Sequence, residues 1–301
     1  MTPSELRKKL VGVFGFPVTP FKSDFSIDHD GLAKIADWMC GYAFCAQVAA
    51  GGTGEIYSMT VDENIETVRT VVKAVNGRMP VVAGVGYNVP MGRAMARGME
   101  EAGADALLVM PPYYTNAPWE GLLRFYEEIG KASGLPLSLY SRDWAAFTPD
   151  QVAQLCDRVP TLTFWKDGQG DARKYQRIIA KVGDRLAWIG GIGDDCAPAY
   201  FAIGVQAYTS SISNVAPKLS LQIAEAGLKG DRDTMNAMMK KYVLPLYALR
   251  DKKKGYEVSV MKKMMDLMGM PGGPVRPPLV EVTADEAAEI KKLVELYADV
   301  V

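Results

Sequence analysis

Eight short β-branched or apolar runs punctuate this chain, each followed by a stretch with helical character. They are Val11–Pro17, Ala46–Ala50, Val81–Val85, Ala106–Met110, Leu137–Ser141, Thr161–Trp165, Leu186–Ile189 and Ala207–Ser211. Their starts fall roughly 20 to 35 residues apart, the length of one strand–helix step. Between them, Asp28 to Gly41 sets Leu32, Ile35, Ala36 and Met39 on one face. Thr60-Val61-Asp62-Glu63 is a capping box ahead of Ile65, Val68, Val72 and Val75. Thr148-Pro149 supplies an N-cap and a first-turn proline before Val152 and Leu155. Asn214 is read as opening a helix that carries Leu219, Ile223 and Ala226. Eight such units in succession predict an α/β fold, a (β/α)8 TIM barrel. The alternative, an open doubly wound sheet, wants fewer strands and a glycine-rich dinucleotide turn after the first. Here the segment Gly12 to Pro17 puts a proline where that helix would begin.

After residue 230 the strand signal stops. Asp231–Leu249, Tyr256–Met268 and Thr283–Ala298 read as three helices, the last two separated by Pro271-Gly272-Gly273-Pro274 and Pro277-Pro278. Residues 1–230 are thus expected to form the barrel and 231–301 a C-terminal three-helix extension. Met235, Met238, Met239, Met261, Met264, Met265, Met268 and Met270 crowd this part and are read as filling irregular packing.

The length of 301 residues suits one barrel of roughly 250 residues plus a tail. With 34 basic against 35 acidic residues the chain carries −1, which offers no general attraction to nucleic acid or to an anionic membrane. No uninterrupted apolar run reaches membrane-spanning length, and the segment from Met1 to Lys9 lacks a signal-peptide pattern. A cytoplasmic protein is expected. Cys40, Cys45, Cys156 and Cys196 form no CxxC pair and are read as buried small apolar side chains. The one histidine, His29, sits at a helix start and is read as a surface residue. A Ser-His-Asp triad or a histidine-rich metal site would have to use it, so no metal is expected.

In a barrel, chemistry collects at the C-terminal ends of the strands. Strand six runs into Trp165-Lys166-Asp167-Gly168. A lysine after such an apolar run is desolvated, which lowers its pKa, and a neutral amine can add to a ketone. The competing reading is a buried lysine paired to a carboxylate such as Asp167. Strand five ends Leu139-Tyr140-Ser141-Arg142. Tyr140 is one strand away from Lys166, placed either to shuttle protons or simply to pack. Strand two leads into Gly51-Gly52-Thr53-Gly54-Glu55, whose backbone N–H groups suit a carboxylate or phosphate. Strand four leads into Pro111-Pro112-Tyr113-Tyr114, and strand eight into Ser210, Ser211 and Asn214, with small polar groups suited to a polyol.

Taken together and in this order, Gly51 to Glu55, Pro112-Tyr113-Tyr114, Leu139-Tyr140 and Trp165 to Gly168 resemble the dihydrodipicolinate synthase / N-acetylneuraminate lyase superfamily of class I aldolase-type barrels. The likeness runs over nearly the whole chain. It implies that Lys166 forms a Schiff base with a 2-oxo acid and that Tyr140 is the proton shuttle. It also implies that the Gly52-Thr53 turn holds the carboxylate beside the keto carbon. The departures narrow the branch. Dihydrodipicolinate synthases carry two hydroxyl residues before Gly-Glu, where this chain has Gly52 first. They also place an arginine where this chain has Ala145. Typical neuraminate lyases have a Ser-Thr pair in the same turn.

The Gly-Gly-Thr-Gly-Glu form, Tyr140-Ser141-Arg142 and the Ser210-Ser211 to Asn214 segment resemble the 5-dehydro-4-deoxyglucarate dehydratase branch. That implies a 2-oxo sugar diacid substrate, dehydrated and decarboxylated to 2,5-dioxopentanoate with no metal or organic cofactor. Arg142, Ser210, Ser211 and Asn214 are the candidates for the far carboxylate. Gly191, beyond strand seven, and Tyr114 complete the expected substrate contacts. The alternative is a 2-keto-3-deoxy sugar acid aldolase or a dihydrodipicolinate synthase-like enzyme, releasing or using pyruvate, and a non-catalytic barrel is a further one. Relatives imply a homo-oligomer, tetramer or dimer, with Tyr113 or Tyr114 crossing the interface.

Overall fold

The computed structural model describes residues 2–113 and 116–301. Eight parallel strands close into a barrel in sequence order. They are β1 (Gly12–Gly15), β2 (Ala46–Ala49), β3 (Val81–Tyr87), β4 (Ala106–Pro112), β5 (Leu137–Ser141), β6 (Leu162–Asp167), β7 (Ala187–Gly190) and β8 (Ala207–Ser210). The seam is β1 on β8, with Gly12 opposite Ala207 and Gly15 opposite Ser210. Helix α1 (Pro3–Lys9) precedes the barrel, and α2 (His29–Met39) to α9 (Pro217–Lys229) surround it. In order between them come α3 (Val61–Val75), α4 (Val89–Glu101), α5 (Trp119–Gly130), α6 (Pro149–Arg158), α7 (Ala172–Val182) and α8 (Ala197–Ala202). Among the described residues no helix is long and apolar enough to cross a membrane.

Local rules account for the elements. The Thr60 hydroxyl accepts from the Glu63 N–H while the Glu63 carboxylate accepts from the Thr60 N–H, so α3 starts where its capping box predicts. Its buried Val68, Val71 and Val75 share one face toward the barrel wall. Each such valine contributes about 1.5–3 kcal/mol through burial. Strand alternation sends Phe14, Val48, Val82, Leu108, Tyr140, Phe164 and Ile189 into the barrel interior. Leu6 and Leu10 join that cluster, so α1 closes the end where the strands begin. This helix is absent from the sequence reading, although Thr2-Pro3-Ser4-Glu5 is itself a capping box.

Two segments depart from expectation. The last barrel helix starts at Pro217, not at Asn214, because Ile212–Asn214 is a tight 3-10 turn and the proline takes the first helical position. The first C-terminal helix is not uniform. It runs as α10 (Arg232–Met238), widens to a π turn over Met239–Val243 and continues as α11 (Leu244–Arg250). Pro245 has no N–H to donate and its ring would collide with the carbonyl four residues back, and the wider turn relieves both. The remaining helices are α12 (Tyr256–Leu267) and α13 (Ala284–Leu296). The C-terminal helices share one core with β1, β8, α2 and α9, and the methionines fill it as expected. The four cysteines are free and half-buried rather than fully buried. His29 is exposed, with a hydrogen bond to Thr70.

A buried ion pair ties that C-terminal layer to the loop after β2. Glu55, in a left-handed conformation with φ 56°, pairs with Lys262 of α12, and both are buried. The Lys262 ammonium also donates to the Pro274 carbonyl (2.9 Å), and the Arg276 N–H donates to Glu55 (3.3 Å). Removing one member of a buried pair strands the other charge, at about 3–5 kcal/mol. Lys262→Met is therefore expected to lower the unfolding free energy by that amount in urea titration. A loss below about 1 kcal/mol would mean the pair is solvated and of surface strength.

Candidate active site

A cavity of about 1030 Å3 opens at the C-terminal ends of the strands. Lys166 of β6 and Tyr140 of β5 are register partners, so the ladder itself sets them side by side. The Lys166 ammonium nitrogen lies 3.2 Å from the centroid of the Tyr140 ring. It donates to the Gly191 carbonyl at 2.9 Å, and the Tyr140 hydroxyl reaches the same oxygen at 3.3 Å. A side chain at Gly191 would collide with Lys166, since a Cβ there would lie 2.4 Å from its Cγ.

Burial, and then the nearby Arg142 charge, hold the Lys166 amine well below the ordinary lysine range. The proposed partner Asp167 does not neutralise it. Successive strand residues face opposite ways, and the Asp167 carboxylate is held outside the barrel interior by the Tyr200 hydroxyl (2.8 Å) and the Gly170 N–H (3.0 Å). Among the described residues Lys166 has no ion pair. Burial raises the Tyr140 phenol, so it keeps its proton at neutral pH. Arg142 donates to the Tyr140 hydroxyl at 3.0 Å, leaving the phenolic proton to point elsewhere. The pair is thus an amine whose neutral form burial favours, beside a protonated phenol, facing a cavity.

Gly52 and Thr53 line the same cavity, and the Gly52 Cα faces open space. The loop is anchored from beneath by Thr19, whose hydroxyl donates to the Gly54 carbonyl at 2.7 Å, and by the Glu55 ion pair. Arg142, Gly191 and Ser211 also line the cavity. Ser210 and Asn214 do not reach it. Ser210 is fully buried, donating to Asp194 and meeting the Ser220 hydroxyl at 2.7 Å. Asn214 clamps the loop after β1, donating to the Phe16 carbonyl (2.7 Å) and accepting from the Val18 N–H (3.1 Å). Their expected role toward substrate is corrected to one in the scaffold. Tyr114 lies outside the described residues.

Sequence reading missed Asp194, Tyr247 and Arg250. All three line the cavity, two of them from the C-terminal helix. The basic run Arg250-Asp251-Lys252-Lys253-Lys254 was the available signal. Among the described residues no cluster of three His, Cys, Asp or Glu side chains is disposed to hold a metal ion.

A buried lysine, without an ion pair among the described residues, and a phenol thus meet at the mouth of a closed parallel barrel. The model of the dihydrodipicolinate synthetase family matches residues 9–297, and the chain is an enzyme of that family. It is 43% identical over 298 residues to a probable 5-dehydro-4-deoxyglucarate dehydratase of Bradyrhizobium sp. strain BTAi1, covering 98% of this chain and 95% of the relative. A protein of the same description from Bradyrhizobium sp. strain ORS 278 is 42% identical, with the same coverage. The crystal structure of dihydrodipicolinate synthase from Oceanobacillus iheyensis superposes with a TM-score of 0.91 at 26% identity, covering 98% of each chain.

Proposed function

We propose that this enzyme converts 5-dehydro-4-deoxy-D-glucarate to 2,5-dioxopentanoate through a Schiff base on Lys166. The observation that carries the covalent step is the buried Lys166 amine, without an ion pair among the described residues, over the Tyr140 ring and sharing the Gly191 carbonyl with the Tyr140 hydroxyl. The substrate is suggested by the names of the full-length relatives above 40% identity. The amine adds to the C5 ketone and water leaves, giving an iminium. That electron sink acidifies the C4 proton, and the C3 hydroxyl departs as water with a proton carried by Tyr140. C6 leaves as CO2, with the electron pair of the C5–C6 bond ending in a new C–H bond at C5. The C2 proton passes to C4 through the conjugated iminium, leaving a C2 enol. The enol proton then moves to C3 to give the ketone, and hydrolysis of the C5 imine takes up one water and releases the C5 aldehyde and the free amine. The overall change is loss of one water and one CO2, and it calls for no metal or organic cofactor. The Gly52-Thr53 turn binds the carboxylate beside the ketone. We further propose that the enzyme acts as a homo-oligomer, a state that light scattering measures directly.

The test is to incubate the keto-deoxy diacid with enzyme and follow CO2 and pyruvate together. Stoichiometric CO2 without pyruvate supports the dehydratase. Pyruvate without CO2 makes this chain a sister aldolase instead.

The charge of Arg142 beside Lys166 carries its own consequence. Neutral amine is the nucleophile, and a like charge nearby favours the neutral form. The acidic limb of Schiff-base formation should therefore lie below the ordinary lysine range, and Arg142→Leu should move it to higher pH. Borohydride trapping with pyruvate as a function of pH reads this. A limb that stayed in place would show that burial alone sets the amine.

A further inference from the structure

We infer that Arg250, from the end of α11, recognises the distal carboxylate of the sugar diacid, an assignment that rests on the diacid reading above. Its guanidinium lies over the Tyr247 ring, 4.4 Å from the centroid, and donates to the Ser211 hydroxyl at 2.9 Å. It lines the cavity, yet among the described residues it has no ion pair, and its buried Nε has no hydrogen-bond partner. The surrounding carboxylates of Asp194, Asp195 and Glu257 act on it only at longer range. That of Asp194 is already occupied by Ser210, the Ser211 hydroxyl (3.0 Å) and the Tyr247 hydroxyl (3.2 Å). The other cations at the mouth are engaged or loose. Arg142 holds the Tyr140 hydroxyl, Lys252 holds Glu289 and Lys253 holds Tyr256. Lys254 is exposed on a turn. A stacked, half-satisfied guanidinium fork is preorganised for a carboxylate, whereas a solvated ammonium is not.

The spacing suits the ligand. Gly191, beside Lys166, and Asp194, whose N–H donates to the Tyr247 hydroxyl at 2.5 Å, are joined by one short loop. Gly193 within it touches Tyr247, since a Cβ there would lie 2.7 Å from the hydroxyl. Three residues reach at most about 10 Å. The iminium carbon and the far carboxylate of a six-carbon diacid are separated by four C–C bonds, about 5 Å when extended. With a hydrogen bond of about 3 Å at the carboxylate end, the two scales match.

The test compares 2-oxoadipate with 2-oxohexanoate, keto acids of equal length of which only the first has a distal carboxylate. Borohydride trapping on Lys166 gives a half-trapping concentration for each. Wild type is expected to prefer 2-oxoadipate by roughly 10- to 100-fold, the worth of a hydrogen-bonded charge pair. Arg250→Gln should bring that ratio near unity. A wild type without preference, or an Arg250→Gln variant that keeps it, overturns the assignment. So does loss of the preference in Lys254→Gln. Should Arg250→Gln trap neither acid, Arg250→Lys is read instead, since it keeps the stem and charge but not the stacked fork. An undiminished preference there overturns the assignment as well. Neither keto acid has a hydroxyl to lose, so the ratio reads recognition alone. Failure of the dehydratase reading shows separately, as pyruvate without CO2 from the full substrate.

Discussion

Lys166→Ala is expected to abolish turnover and borohydride labelling while the barrel stays folded. Among the described residues Lys166 has no ion pair, so its removal strands no buried counter-charge. What is lost is the placement of its nitrogen over the Tyr140 and Phe16 rings and one hydrogen bond to the Gly191 carbonyl. A net loss of about 0.5–1.5 kcal/mol for that bond is well inside the stability of a domain this size. Chemistry suffers without remedy, because among the described residues no other amine stands on the barrel interior beside the phenol. Mass spectrometry after reduction with a 2-oxo acid should place the adduct of the wild type on Lys166. Adduct on another lysine, or turnover retained by the alanine variant, would remove Lys166 from the mechanism.

For Tyr140→Phe the expected loss is in rate rather than binding. The ring keeps its place over Lys166, and only the hydroxyl shared with Arg142 and Gly191 goes. General acid–base catalysis is worth roughly 10²–10⁴ in rate, and kcat should fall by that factor. Water entering the space left by the hydroxyl can still carry protons slowly. Borohydride should then trap an adduct in this variant, unlike in Lys166→Ala. A kcat near that of the wild type would make Tyr140 a packed aromatic and nothing more.

The barrel was legible because its spacing is periodic and each strand carries its own apolar signal. Lys166 and Tyr140 were legible for a related reason. Both are chemically odd residues at strand ends, and the rule that strand ends face the mouth needs no tertiary knowledge. Ser210 and Asn214 satisfy the same rule yet miss the cavity. The tight turn after β8 folds them inward, where Asp194, Ser220 and the loop after β1 absorb their polar groups. Nothing local marks that, since Asp194, Ser220 and the loop after β1 lie from ten to nearly two hundred residues away. Arg250 and Tyr247 failed from the opposite side. They sit on a helix some forty residues past the last strand, and only the docking of that helix against β8 and α9 brings them to the mouth. The role of Glu55 was equally hidden. Its place in a glycine-rich turn suggests ligand binding, and only Lys262, two hundred residues on, reveals a strut.

The π turn over Met239–Val243 sets the azimuth of everything beyond it. Each residue of an α-helix advances about 100° around the axis, so losing one residue between 244 and 246 would swing Tyr247 and Arg250 away from the cavity. Losing one residue within the π turn is different. The wide turn would tighten to an α turn, and both flanks would keep their facing, at the expense of placing Pro245 in a regular helix. The stretch is thus a slack point in chain length, where the helix tolerates a change of count without a change of aim. Variation in length among proteins of this kind is expected to concentrate there and not in the turn that follows.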